Sequence, residues 1–218
     1  MQRSKVFFVV LAILFITGCS QGASLPASNA AEPEAASIPA GWSTYTSQQC
    51  EYAISHPTEM AGSDQNPYSR LFNFKSADPD AAHPNFVYVS VIAPEVQNMV
   101  EAGIYNAEVY NYDPAQTDIL LGMQVGESKT THPAPDVQSG FTYQRLPDAA
   151  IGGHTSQAYE NVQPWEFPAG TKEIRYYSSL NGCIYLIGGY VDTTGSNQPG
   201  AITEDVFQQI IATVELMP

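Results

Sequence analysis

Hydrophobic and polar positions change period several times along the chain, and each change marks an element. Cys50 to His56 (CEYAISH) alternates and stops at Pro57, which predicts a first strand. Arg70 to Lys75 and Phe86 to Ile92 (FVYVSVI) predict two more, separated by the turn-rich stretch Ser76 to Asn85. After Pro94 the period lengthens. Val96, Met99, Val100, Gly103, Ile104 and Ala107 then fall on one side of an amphipathic helix that Gly103 weakens. Asp113 before Pro114 has the form of an N-cap and first-turn proline for a short helix through Ile119, Leu120 and Leu121.

The second half alternates more regularly. Gly140 to Leu146, His154 to Val162, Lys172 to Leu180 and Cys183 to Asp192 predict antiparallel strands. Asn181-Gly182 between the last two is the strongest hairpin signal, because a type I′ turn needs two residues at positive φ. From Thr203 to Leu216, Val206, Phe207, Ile210, Ile211 and Val214 share one face behind Thr203 as N-cap, which predicts a terminal helix lying on the sheet.

The N-terminal region has another character. Arg3 and Lys5 precede an unbroken apolar run of 11 residues, Val6 to Ile16, the charged and apolar regions of an export signal. A helix that spans a bilayer needs about 20 apolar residues, so a permanent span is the weaker reading. Ile16-Thr17-Gly18-Cys19 resembles the lipobox of bacterial lipoproteins, with Ile16 where Leu is usual. That resemblance implies removal of a signal peptide over residues 1–18, a diacylglyceryl thioether on Cys19 and acylation, as with palmitate, of the new amino terminus. Two or more acyl chains anchor stably, since each buried methylene contributes about 0.8 kcal/mol. The alternative is an ordinary signal peptide with a cysteine nearby by chance. Ser20 stands where the lipoprotein pattern puts Asp for inner-membrane retention, so sorting to either the cell membrane or an outer membrane stays open.

Residues 19–40 continue as an Ala-, Ser- and Pro-rich stretch without aromatic residues, which predicts a flexible tether with an average span of roughly 25 Å for a coil. Beyond Gly41 the chain turns aromatic-rich, and residues 41–218 are predicted to form one globular domain.

Charge narrows the partners. The whole chain carries a formal net charge of −14. Loss of Arg3 and Lys5 with the signal leaves 6 Lys and Arg against 22 Asp and Glu, or −16. Such a surface repels phosphate backbones and anionic headgroups, which argues against nucleic acid and leaves membrane attachment to the lipid. With Cys19 assigned to lipid, Cys50 and Cys183 remain on predicted strands of an exported chain, and a disulfide between them is the expected reading; a free thiol nucleophile is the alternative.

Candidate chemistry is sparse. His56, His83, His132 and His154 form no zinc spacing. Asp78, Asp80 and His83 could face a divalent ion, but an acidic loop is more often only solvated, and no metal or cofactor is expected. No G-x-S-x-G elbow or phosphate loop is present; Gly152-Gly153-His154-Thr155-Ser156 comes nearest, and its plain reading is a turn entering a strand. Trp165 and Phe167 are the candidate partner-binding aromatics, with packing over the sheet as the alternative.

Trp42 to Pro57, Ile151-Gly152-Gly153-His154 leading to Ala158, the hairpin through Gly182 and the ending Thr213-Val214-Glu215-Leu216 together resemble the PsbP/Mog superfamily. This group includes the photosystem II extrinsic protein PsbP and a nuclear Ran-binding protein. The resemblance covers residues 41–218 and implies an α+β fold, a single antiparallel sheet flanked by helices; the two cysteines and the insertion Thr131 to Asp136 depart from it. The combined expectation is a lipid-anchored extracytoplasmic module that binds or assembles with an envelope protein or small ligand without catalysis. The rival is an envelope hydrolase whose site forms only in three dimensions.

Overall fold

The computed structural model describes residues 38–75, 85–104, 114–131, 140–162, 167, 169–195 and 200–217. The proposed signal, Cys19 and almost all of the tether lie outside them, as do Asp78, Asp80, His83, His132 and Trp165.

Eleven strands and three short helices are described. An eight-stranded antiparallel sheet has the order β3-β4-β5-β10-β9-β8-β7-β6. Its members are β3 Met60–Asn66, β4 Ser69–Phe74, β5 Val87–Ile92, β6 Ser128–Thr131, β7 Phe141–Ile151, β8 His154–Asn161, β9 Thr171–Leu180 and β10 Cys183–Asp192. β1 Trp42–Ser47, β2 Tyr52–Pro57 and β11 Glu215–Leu216 form a second, three-stranded sheet in the order β1-β2-β11. The helices are α1 Pro94–Glu101, α2 Pro114–Leu121 and α3 Glu204–Ala212.

The expected single sheet is thus corrected to a mostly β domain with two. The strand predicted at Cys50 to His56 does not join the main sheet. It pairs with Trp42–Ser47, and its residues Tyr52 to His56 are buried throughout, so it serves as a covering layer. Tyr52 and Ile54 share a core with Phe72, Val87, Val89, Ile174, Tyr185, Ile187, Phe207, Ile210 and Val214. The small sheet and α3 therefore cover one face of the large sheet. A separate cluster of Leu120, Met123, Tyr143, Tyr159 and Tyr177 covers part of the other face, beneath α2. Period 2 sorts the central strands between the two: Ile174 and Tyr176 face the first core, while Glu173, Arg175 and Tyr177 face the second side.

Element ends have local causes. α1 stops at Glu101, short of the predicted Ala107, in a Schellman arrangement: Ile104 N–H donates to Met99 O (3.0 Å), Gly103 N–H donates to Val100 O (3.1 Å), and Gly103 takes φ +69°. α3 starts as predicted, with Val206 N–H donating to Thr203 Oγ1. It ends at Ala212 rather than running to Leu216. Thr213 Oγ1 accepts from Ser55 N–H (2.9 Å), and Glu215 and Leu216 pair with Ala53 and Tyr52 of β2. The Asn181-Gly182 turn has φ of +51° and +80°, as a type I′ turn requires.

Candidate functional site

Cys50 and Cys183 are joined by a disulfide, with Cα atoms 6.1 Å apart. A structural bridge of this kind belongs to an oxidising, extracytoplasmic compartment. It ties the β1–β2 turn to the start of β10. Cys50 and Glu51 in that turn take φ of +49° and +24°, a region costly for side chains with a Cβ. Tyr185 Oη donates to Cys50 O (2.5 Å) and Met217 N–H donates to Glu51 O (2.9 Å), so the turn also holds the C-terminal strand.

Among the described residues, a convergence of polar side chains lies on the second face of the sheet, across β5, β7, β9 and β10. Glu173 is fully buried. Its carboxylate accepts from Tyr88 Oη (2.7 Å), Tyr143 Oη (2.8 Å) and Arg175 Nε (3.0 Å). Arg175 Nη1 donates to Gln116 Oε1 (3.0 Å), which brings α2 into the network, and its guanidinium stacks over the Tyr143 ring at 4.5 Å. Gly188 admits this arrangement, because a Cβ there would lie 2.5 Å from Tyr88 Oη. Sequence alone does not disclose this cluster: a Glu and an Arg two apart on a strand read as a solvated stripe until the covering aromatics and α2 are known.

Phe167 belongs to the same region. Its half-exposed ring stacks on Tyr190 at 4.0 Å and 3°, with Phe86 4.9 Å from Tyr190. The ring thus packs over the sheet above the buried network. Burial and the nearby Glu173 carboxylate push the Tyr88, Tyr143 and Tyr190 phenols well above the ordinary tyrosine range, with Arg175 opposing. Such tyrosines stay protonated in the folded state while the unfolded chain ionises near pH 10, so their stabilisation is present below pH 10 and is lost as pH rises above it. An absorbance titration at 295 nm is expected to show these phenols silent until alkaline unfolding, with stability falling by about 1.4 kcal/mol per pH unit for each blocked tyrosine. Their titration near pH 10 in a still-folded protein would contradict the burial.

The other sequence candidates resolve plainly. Gly152 and Gly153 take φ of +56° and +79° in the β7–β8 turn, and a Cβ on Gly152 would lie 2.8 Å from Leu216 N. Ser156 is buried and bonded to Ser178, so the glycine-flanked segment is a turn entering a strand. His56 is buried against Phe72, with ring centroids 4.9 Å apart. Among the described residues no three His, Cys, Asp or Glu side chains gather in a form that would hold a metal.

A second constellation is open to solvent. Where the β1–β2 hairpin meets the β3–β4 hairpin, a shallow cleft is lined by Tyr45, Gln49, Asp64, Asn66, Tyr68 and Arg70 among others. Its enclosed space is about 10 Å3, room for one water. The Arg70 guanidinium lies 4.0 Å over the Tyr45 ring and is ion-paired to the exposed Asp64. Arg70 Nε is buried and has no acceptor among the described residues. Asn66 Oδ1 accepts from Tyr68 N–H (2.8 Å), leaving its amide nitrogen to the cleft. The Gln49 side-chain amide makes no hydrogen bond within the described residues.

The remaining cations are engaged internally. Lys129 pairs with Glu127, Arg145 with Asp148, and Lys172 with Glu160 and Glu204, while Lys75 Nζ donates to Thr58 O. With Arg70 and Arg175 also paired, the six cations beyond residue 18 are all committed, and the acidic surface has no free basic patch among the described residues.

No family model matches the chain, and no curated protein matches it. Solved structures do, at low identity. The solution structure of cyanobacterial PsbP (CyanoP) from Synechocystis aligns over 85% of this chain and 98% of that one, with 10% identity and a TM-score of 0.41. A crystal structure from Bacteroides thetaiotaomicron aligns over 80% of this chain with 10% identity and a TM-score of 0.35; the match takes in 48% of that longer protein, about half its length. At these identities and TM-scores neither likeness assigns a fold family or a role, and the chemistry rests on this chain's own residues.

Proposed function

We propose that the protein is a lipid-anchored extracytoplasmic module that binds a partner or ligand without catalysing a reaction, and that the Arg70 cleft is its binding site. One observation carries this. At the Arg70 cleft the exposed Gln49 amide, the Asn66 side chain and the Arg70–Asp64 pair adjoin partly exposed tyrosine rings at the surface, while the Glu173 cluster is closed on itself. The cleft offers donors and aromatic area, the equipment of recognition, and its single carboxylate, Asp64, is held by Arg70. Anchoring through Cys19 belongs to the same proposal. A domain of −16 charge has no electrostatic hold on an anionic bilayer, so the acyl chains and the tether would keep the cleft near the envelope.

A photocrosslinking residue placed at Gln49 in intact cells tests the reading. The expected result is an adduct that depends on Gln49 placement and is absent when the same residue replaces Asp205 on α3. The Cys19→Ala protein is expected to leave the membrane fraction and to lose the adduct. A Cys19→Ala protein that stays in the membrane would contradict the anchor. The absence of any adduct from Gln49 would remove the cleft as the binding site.

A further inference from the structure

The small sheet leaves one edge open. β1 is its outermost strand and pairs only with β2 among the described residues. Thr58 N–H donates to Gly41 O (3.1 Å), which fixes the phase of the ladder: Ser43, Tyr45 and Ser47 turn their backbone groups to β2, while Trp42, Thr44 and Thr46 turn theirs away. Met217 N–H on Glu51 O sets the same phase from the other side of β2. No described residue meets the backbone N–H or C=O of Thr44 or Thr46, and both residues are exposed. The other described edges are blunted. β3 carries the exposed Asp64 and a register shift before Asn66, β6 has four residues with Lys129 among them, and β11 has two. β1 has none of these devices: Trp42-Ser43-Thr44-Tyr45-Thr46-Ser47 is uncharged, holds no proline, keeps an unbroken register and is rich in strand-forming residues.

Two features choose the occupant of this edge. The first is self-complementarity. Paired antiparallel about Thr44, the edge meets itself with every outward residue matched: Thr44 against Thr44 of the second copy, Trp42 against Thr46 of the second copy, and Thr46 against its Trp42. Thr–Thr and aromatic–β-branched pairs favour strand association, and no side chain of the seam carries charge, so the acidic domains repel only at a distance. The second feature is the chain before the strand, and here the argument rests on the proposed Cys19 anchor. Residues 20–40 lead from the lipid almost to Trp42, a coil of roughly 25 Å, so every copy carries this edge close to the same membrane surface, which raises its effective concentration. The two Trp42 residues of such a pair lie about 14 Å apart along the strands, within reach of two tethers from one surface. We infer that the free edge of β1 pairs with β1 of a second anchored copy, joining two three-stranded sheets into one continuous sheet.

The test is thiol crosslinking of the lipid-anchored full chain in its membranes, with Thr44→Cys as the probe, because an opposed hydrogen-bonded pair sets Cα atoms about 5.5 Å apart, within disulfide reach. With copper phenanthroline and air as oxidant, Thr44→Cys is expected to give a dimer that a thiol reductant dissolves. Ser63→Cys, exposed on the edge of β3, is expected to give at least tenfold less. Adding Thr46→Pro removes one outward N–H and leaves the ladder to β2 whole, and is expected to lower the Thr44→Cys dimer at least tenfold with little change in melting temperature. Dimer yield is expected to rise between about 20 and about 200 mM salt, as repulsion between the acidic copies is screened. Equal dimer from Ser63→Cys, indifference to Thr46→Pro, or a yield that falls with salt would overturn the inference. A membrane-bound chain that gives no Thr44→Cys dimer would overturn the pairing alone and leave the anchor and the cleft standing. A chain that is soluble whatever residue stands at position 19 would overturn the anchor, and the pairing with it.

Discussion

Glu173→Ala is expected to destabilise the domain by about 3–5 kcal/mol, because it leaves the Arg175 guanidinium buried without its counter-charge. The hydroxyls of Tyr88 and Tyr143 lose their acceptor in the same step. For a domain of this size the fall in Tm is on the order of 10 °C. Partner identity sets the pattern among variants. Glu173→Gln keeps the shape and one carbonyl acceptor and is expected to cost less than Glu173→Ala. Arg175→Met leaves a carboxylate that still accepts from two tyrosines, so it too is expected to cost less than the alanine variant. Combining Arg175→Met with Glu173→Ala is expected to recover part of the loss, since no unpaired charge then remains. Denaturant unfolding of the four proteins checks this. A Glu173→Ala loss below about 1 kcal/mol would show that water reaches the network.

These positions mark what the sequence discloses and what it withholds. Alternation placed strands at residues 70–75, 86–92 and across the second half, because one face of each is apolar whatever covers the other. The hairpin at Asn181-Gly182 was legible because its backbone requirement is local. β3 and β6 were not, being edge strands of polar residues whose pairing comes from a neighbour and not from their own pattern. Leu216 continues the periodicity of α3 yet lies in β11, because a strand of another part of the chain captures it. The Glu173 cluster and the Arg70 cleft share this cause. Tyr45, Asp64 and Arg70 come from three strands in two sheets, and no spacing in the sequence brings them together.

Replacing both Cys50 and Cys183 by alanine is expected to cost about 2–4 kcal/mol, and two opposing effects set that figure. The bridge closes a loop of 133 residues, for which the chain-entropy model gives about 5 kcal/mol of stabilisation. Against it stands Cys50, held at positive φ in the turn that the bridge fixes; releasing it returns about 1–3 kcal/mol. The loss should not be spread evenly. Met217 N–H hangs on Glu51 O and Tyr185 Oη on Cys50 O, so opening the turn frees β11 from β2 before it disturbs the pairing of β9 with β10. Hydrogen exchange on the reduced protein is therefore expected to lose protection first at Leu216 and Met217 and along β1, with the central strands still protected. Intact mass should rise by two daltons when an added thiol or phosphine reductant opens the bridge, one hydrogen (a proton and an electron) for each sulfur. Unchanged mass would show the thiols free, and uniform loss of protection across both sheets would show that the bridge stabilises the domain only through the unfolded chain and not through the turn it holds.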